Sequence, residues 1–144
     1  MAAARYLLDT SALLALRDDE PGAARVAALL EGSATGATPC LACFISQMEV
    51  LVRVWKDEGE AAGRNAYAGA LRLPITWVHE SASLLERAAA VKAQFPLSMA
   101  DAWIAAAALE QQAMLVHKDP EFKCLRDLQQ EPLPFKPVGR SRSR

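Results

Sequence analysis

Four acidic residues stand in settings where a carboxylate needs a reason to be. Asp9 closes the apolar run "RYLL", Glu49 sits within "SQMEVLV", Asp101 opens the alanine-rich "SMADAWIAAAAL", and Asp119 ends "MLVHKD". An ionised carboxylate in an apolar neighbourhood must be paired, hydrogen-bonded or used as a helix cap. If the four converge in one cleft, they repel one another and each resists ionising. A divalent cation relieves that repulsion, and an all-oxygen donor set suits Mg²⁺ or Mn²⁺ rather than zinc. Such an ion takes a few carboxylates, keeps several waters and leaves room for a substrate phosphate. That is equipment for hydrolysing a phosphodiester.

Each acid also has a plainer explanation. "SQME" and "SMAD" both fit a capping box, with Ser46 or Ser98 as N-cap and the acid in the first turn. Asp9 fits a cap for "TSALLAL", and Asp119 fits a cap followed by Pro120 at the first helical position. Glu49 is spaced for an i,i+4 pair with Arg53. What favours a shared site over four separate caps is where the acids fall along the chain.

The elements are read from periodicity and turn residues. "RYLL", "ATPCLACF", "PITWVH" and "AMLVHKD" read as strands, the short apolar runs expected of a buried sheet. "PLPFKPV" reads as a fifth strand, at an edge because its prolines cannot donate to a ladder. Helices are expected from "TSALLAL", from "AARVAALLEG" closed by Gly32, from "ISQMEVLVRVWKDEG" and from "EAAGRNAYAGALRL". Two more follow in "ESASLLERAAAVKAQF", stopped by Pro96, and from Ser98 to about Gln112. Strands alternating with helices imply an α/β fold with a parallel sheet covered on both faces. In such sheets ligands bind beyond the carboxyl ends of the strands. If the first strand sits centrally between the second and fourth, Asp9, Glu49 and Asp119 share one rim, and Asp101 can reach it.

Bulk properties agree with one globular domain and exclude several classes. The chain has 144 residues, 52% of them hydrophobic and 23% charged, which is ordinary for a packed core. No apolar run approaches the roughly 20 residues needed to span a bilayer, and the N-terminal stretch is interrupted by Asp9, unlike a signal peptide. A cytoplasmic protein is therefore the expectation. The formal net charge of −1 does not mark a nucleic-acid binder, although the end of the chain, "FKPVGRSRSR", is basic. We expect a single domain over residues 1–138 and a disordered basic tail at 139–144. Of Cys40, Cys43 and Cys124, the first two have CxxC spacing. Residues three apart on a strand face opposite sides, and no second ligand pair accompanies them, so they read as buried hydrophobes.

"LLDTSALLAL", "MEV", "SMADAWIAAAAL" and "LVHKDPEF" resemble the successive motifs of PIN-domain proteins, in particular the VapC-like toxins of bacterial toxin–antitoxin pairs. The resemblance runs from Asp9 to about Phe122. It implies a three-layer α/β/α sandwich around a parallel sheet and a Mg²⁺- or Mn²⁺-dependent ribonuclease. Asp9, Glu49, Asp101 and Asp119 match the family's four acids in order, with Asp9, Asp101 and Asp119 as metal ligands. Thr10 and Ser11 match the hydroxyl residues that follow the first acid. The family's small hydroxyl residue two places before its last acid is replaced by His117, which is left outside the catalytic set. A homodimer and a cognate antitoxin are implied too, and the helices covering Met48 to Leu71 are the candidate partner groove.

RNA must reach an acidic cleft through neighbouring cations, and Arg53 and Lys118 are the chosen candidates, with Lys56, Lys123 and Arg126 behind them. Trp55, Trp77 and Trp103 lie in apolar settings that fit the core better than base stacking. The rival reading is a catalytically silent module of the same fold, whose acidic cleft only recognises a partner. A phosphoacceptor receiver domain would need adjacent acids after the first strand and an acceptor aspartate after the third. A haloacid-dehalogenase-type phosphatase would need DxD where this chain has "DTS". Neither pattern is present.

Overall fold

The structure is a computed structural model that describes residues 4–135, so the expected tail at 139–144 lies outside the described residues. Strands β1 (Tyr6–Leu8), β2 (Cys40–Cys43), β3 (Thr76–Val78), β4 (Met114–His117) and β5 (Gln130–Pro132) form one sheet in the order β3-β2-β1-β4-β5. Every neighbouring pair is parallel. Helices α1 (Thr10–Arg17), α2 (Ala23–Thr35), α3 (Ile45–Glu58), α4 (Glu60–Leu71), α5 (Ala82–Gln94) and α6 (Met99–Gln111) connect them.

Alternation along the strands divides the core in two. Leu7, Leu41, Cys43 and Leu115 point to one face, where they meet Leu84, Ala88 and Val91 of α5 and the buried alanines of α6. Leu8, Cys40 and Val116 point to the other, against Leu13, Val26, Val50 and Val54 of α1, α2 and α3. A sheet buried on both faces needs continuous apolar strands, and these short runs supply them. The result is the three-layer α/β/α arrangement that the alternating pattern implies. Cys40 and Cys43 fall in different clusters, and burial pushes the Cys43 thiol up to about 11, away from redox or metal work. Among the described residues no helix is long and apolar enough to cross a membrane.

Two boundaries differ from expectation. Helix α2 does not end at Gly32 but runs to Thr35 and closes on Gly36, whose φ of 85° is left-handed. Gly32 is there for room instead. A Cβ on it would lie 2.0 Å from the Thr38 hydroxyl, and its carbonyl accepts from the Ala37 and Thr38 amides as the chain folds back. The fifth strand lies at 130–132, just ahead of most of "PLPFKPV". Ladder bonds need donors: Leu115 N–H reaches the Gln129 carbonyl and Leu133 N–H reaches the His117 carbonyl, while the following prolines have none to offer. Its edge position is as expected.

One glycine predicts a measurable effect. A Cβ on Gly63 would lie 2.9 Å from the Leu51 carbonyl oxygen and 2.9 Å from the Trp55 backbone nitrogen, because α3 and α4 cross there backbone to backbone. Gly63→Ala should therefore destabilise the protein by about 1–3 kcal/mol, as overpacking does. Urea unfolding checks it, and a variant as stable as the parent would show that the two helices can separate at no cost.

Candidate active site

The carboxyl ends of β2, β1 and β4 lie side by side, and the chain leaves each of them into a helix or turn. Asp9 follows β1 directly. Its amide donates to the Val116 carbonyl of β4, and its extended backbone leaves it as N-cap of α1. Its Oδ2 accepts from the Ser11 amide at 3.0 Å and from the Ser11 hydroxyl. The Ser11 hydroxyl in turn accepts from the Lys118 amide at 2.9 Å, so one serine ties the first acid to the exit of β4. Asp9 is only 4% exposed. Burial raises its pKa to about 6 against the lowering effect of the Ser11 hydrogen bonds, with Glu49 and Asp119 adding repulsion.

Thr10 holds the second acid. Its buried hydroxyl donates to Glu49 Oε1 at 2.6 Å and lies 2.8 Å from the Ser46 hydroxyl. With a single proton given to the carboxylate, Thr10 accepts from Ser46. Two expectations change here. Ser46 does not cap α3, which starts at Ile45, one residue before it; Ser46 is fully buried and turned toward Thr10. Glu49 consequently sits in the second turn, and its partner is Thr10 of α1 rather than Arg53.

Asp101 and Asp119 complete the group. Ser98 caps α6, its hydroxyl accepting from the Asp101 amide at 3.1 Å, and so sets the acid in the first turn. Behind it Ile104 and the alanines at 105–108 are fully buried, small enough for α6 to pack tightly between the sheet and α5. Asp119 caps the 3₁₀ turn Pro120–Cys124, its Oδ1 accepting from the Glu121 amide at 2.9 Å. Burial, the charge of Asp9 and a hydrogen bond to Asp119 raise the Asp101 pKa to about 8, and Glu49 adds to the effect.

The tightest oxygen cluster contains one residue the sequence did not single out. Carboxylate oxygens of Asp101, Asp119 and Glu121 all lie within 4.8 Å of one another. The available signal was the spacing in "DPEF": a 3₁₀ turn opened by Asp-Pro carries the side chain two places on back toward the cap. Asp9 and Glu49 lie outside this 4.8 Å group, but Asp9 is within electrostatic reach of both Asp101 and Asp119, and Glu49 of Asp9 and Asp101. The donors are all oxygen, several are held by hydrogen bonds, and their mutual repulsion is unrelieved. That set fits a hard divalent cation.

The cations are disposed unequally. Arg53 is exposed and lines a groove of about 560 Å³ with Glu49, Lys56, Met99 and Trp103. It also borders a smaller polar recess of about 230 Å³ beside Ser11 and Lys118. Lys118 is held back: its ammonium lies 3.2 Å from Glu20 Oε1 and 3.2 Å from the Pro21 carbonyl, with the side chain 9% exposed. Lys123 and Arg126 are exposed. Trp103 packs edge-on against Phe44 and Trp77 packs against the core, but Trp55, expected in the core, is exposed and lies under the Arg64 guanidinium. His117 is 2% exposed. Burial lowers its pKa, so it is neutral at neutral pH and adds no charge to the cleft.

Residues 6–128 match the PIN domain family. No curated protein sequence matches the chain. Among solved structures, VapBC2 from Rickettsia felis bound to a DNA fragment from its promoter superposes with a TM-score of 0.72 at 18% identity, over 90% of this chain and 99% of that one. VapC20 from Mycobacterium tuberculosis, described as a toxin cleaving the sarcin–ricin loop, gives a TM-score of 0.66 at 17% identity, over 84% of this chain and 95% of that one. A toxin–antitoxin complex from Klebsiella pneumoniae gives a TM-score of 0.60 at 23% identity, over 88% and 95%.

Proposed function

Because the chain belongs to the PIN-domain family, a family whose members are generally nucleases, we propose that it is a metal-dependent endoribonuclease, the toxin of a toxin–antitoxin pair. The observation that carries this reading is the convergence of Asp101, Asp119 and Glu121 oxygens within 4.8 Å, backed by Asp9 and Glu49. Asp9, Asp101 and Asp119, with Glu121 now added, would hold Mg²⁺ or Mn²⁺. When bound, the cation lowers the pKa of water and neutralises charge developing on the phosphate.

The chain's own groups do the rest. Ser11 holds Asp9 and Thr10 holds Glu49, so neither carboxylate needs to reorganise when substrate arrives. Glu49, fixed on one oxygen by Thr10, would orient an attacking water or take its proton. Arg53, at the mouth of the groove, meets the RNA backbone; Lys118 would join it only by leaving Glu20. The antitoxin partner is supported by the toxin–antitoxin complexes among the structural neighbours. An apolar groove of about 410 Å³ between α1, α3 and α4 overlaps the Met48–Leu71 helices and suits such a partner. Exposed Met48, Val52 and Met99 suit a second copy of the chain.

Purified protein, free of antitoxin, should cut a structured-RNA pool in Mg²⁺ or Mn²⁺ and stop in EDTA. Mn²⁺ should also raise the melting temperature. Absence of both effects would leave the acids with structural roles only and the fold serving recognition alone.

A further inference from the structure

The 3₁₀ turn carrying Asp119 and Glu121 is closed by a ring of hydrogen bonds whose directions are all determined. The Asp119 amide, which can only donate, lies 3.0 Å from His117 Nδ1. Nδ1 is therefore the acceptor, and Nε2 carries the ring proton. Nε2 donates to Gln130 Oε1 at 2.9 Å. The Gln130 amide nitrogen then donates to the Phe122 carbonyl at 2.9 Å and the Leu125 carbonyl at 3.1 Å. The His117 ring packs edge-on against Phe122, centroids 5.0 Å apart, and Phe122 is fully buried. Gln130 belongs to edge strand β5, whose backbone is fastened to His117 by the Leu133 amide at 2.7 Å. Both ends of the turn are thus tied to one histidine and one glutamine.

We propose that His117 and Gln130 are positioning residues that hold the Asp119–Glu121 turn where its carboxylates meet Asp101. The inference rests on the metal-site reading for its consequence, but its geometry stands apart from it. A short polar residue two places before an acid can bond only locally. A histidine has a second nitrogen on the far side of its ring, and here that nitrogen reaches the next strand. The edge strand is thereby coupled to the metal-facing acids, although none of its residues touches the cleft. Partners behind first ligands commonly govern affinity by about 10–100-fold.

The two ring nitrogens can be tested separately. His117→Asn places an oxygen near the Nδ1 position and keeps the acceptor for the Asp119 amide. His117→Gln reaches toward the Nε2 position and gives up that acceptor. Gln130→Glu keeps an acceptor for His117 and removes both donors to the turn carbonyls. Amide hydrogen exchange of Asp119 and Glu121 in the metal-free protein is read beside Mn²⁺ titration, with circular dichroism melting to confirm that each variant folds. We expect His117→Gln and Gln130→Glu to lose protection at both amides and to bind Mn²⁺ roughly tenfold or more weakly. His117→Asn keeps the acceptor for the Asp119 amide but loses the Gln130 link, so it should retain part of the Asp119 protection and bind more weakly than the parent, by about threefold; parental binding would show that the link to β5 carries nothing. Unchanged protection in folded His117→Gln and Gln130→Glu would overturn the proposal whether or not metal binds. The expected exchange pattern in a parent that binds no Mn²⁺ would support the positioning role of His117 and Gln130 and remove the metal-site reading instead.

Discussion

Asp101→Asn should lose metal-dependent RNA cleavage by at least about a hundredfold, the scale of removing one preorganised electrostatic group from an active site. The fold should survive. Asn can keep its amide bonded to the Ser98 cap, and the side chain is partly exposed rather than locked in the core. It should also relieve the metal-free protein of a charge that Asp9, Asp119 and Glu49 oppose. The signature is loss of activity together with a melting temperature in EDTA at pH 8 equal to or above that of the parent. A general structural defect would lower both. An active Asp101→Asn would remove this residue from the site.

The metal-free protein should become less stable as pH rises from about 6.5 to 8.5, the reverse of what a paired carboxylate produces. Asp101 has an ordinary value of 3.8 and a folded value of about 8. Between them the folded chain holds a proton that the unfolded chain has released, so stability falls with rising pH. Asp9, with a folded value of about 6, acts in the same direction at lower pH. His117 opposes it there: burial lowers its pKa from 6.5, so stability rises with pH up to about that value. Above it Asp101 is left unopposed. Discounting for the solvent reaching this half-buried group, the fall should be about 1 kcal/mol, or ~3–4 °C in Tm. Melting curves in EDTA across this range check it. Mn²⁺ should reverse the slope, since binding favours deprotonated ligands and stabilises the folded state by mass action. A flat profile without metal would mean that Asp101 ionises freely and that the acids do not converge.

The legible parts of the site were those decided within a few residues. Asp9 ends a strand and caps a helix in one local gesture, and Ser11 reaches it from two positions on. Ser98 caps α6 as the "SMAD" pattern required. The same pattern misled at "SQME". Whether a serine caps a helix or turns inward depends on what lies beside it, and Thr10 lies beside Ser46 only because α1 and α3 cover the same face of the sheet. Glu121 was passed over for a related reason. On an exposed turn, "DPE" is ordinary sequence until Asp101 arrives from another helix. Gly32 had the identity of a terminator and the position of a spacer, and the difference lay in Thr38 folding back over it.

By itself the sequence determined the layering and the chemistry of the donors. Apolar strands buried on two faces follow from their own composition, and a carboxylate-rich, sulfur-poor set selects hard cations whatever its arrangement. Tertiary structure decided which groups meet. Thr10 finds Glu49 across 39 positions, and Lys118 is taken by Glu20 across 98. His117 finds Gln130 across β4 and β5. Side-chain chemistry travels with the residue, but distance is set by strand order. Placing β1 between β2 and β4 is what brings Asp9 at the end of β1 close to Asp119 after β4 and Glu49 after β2.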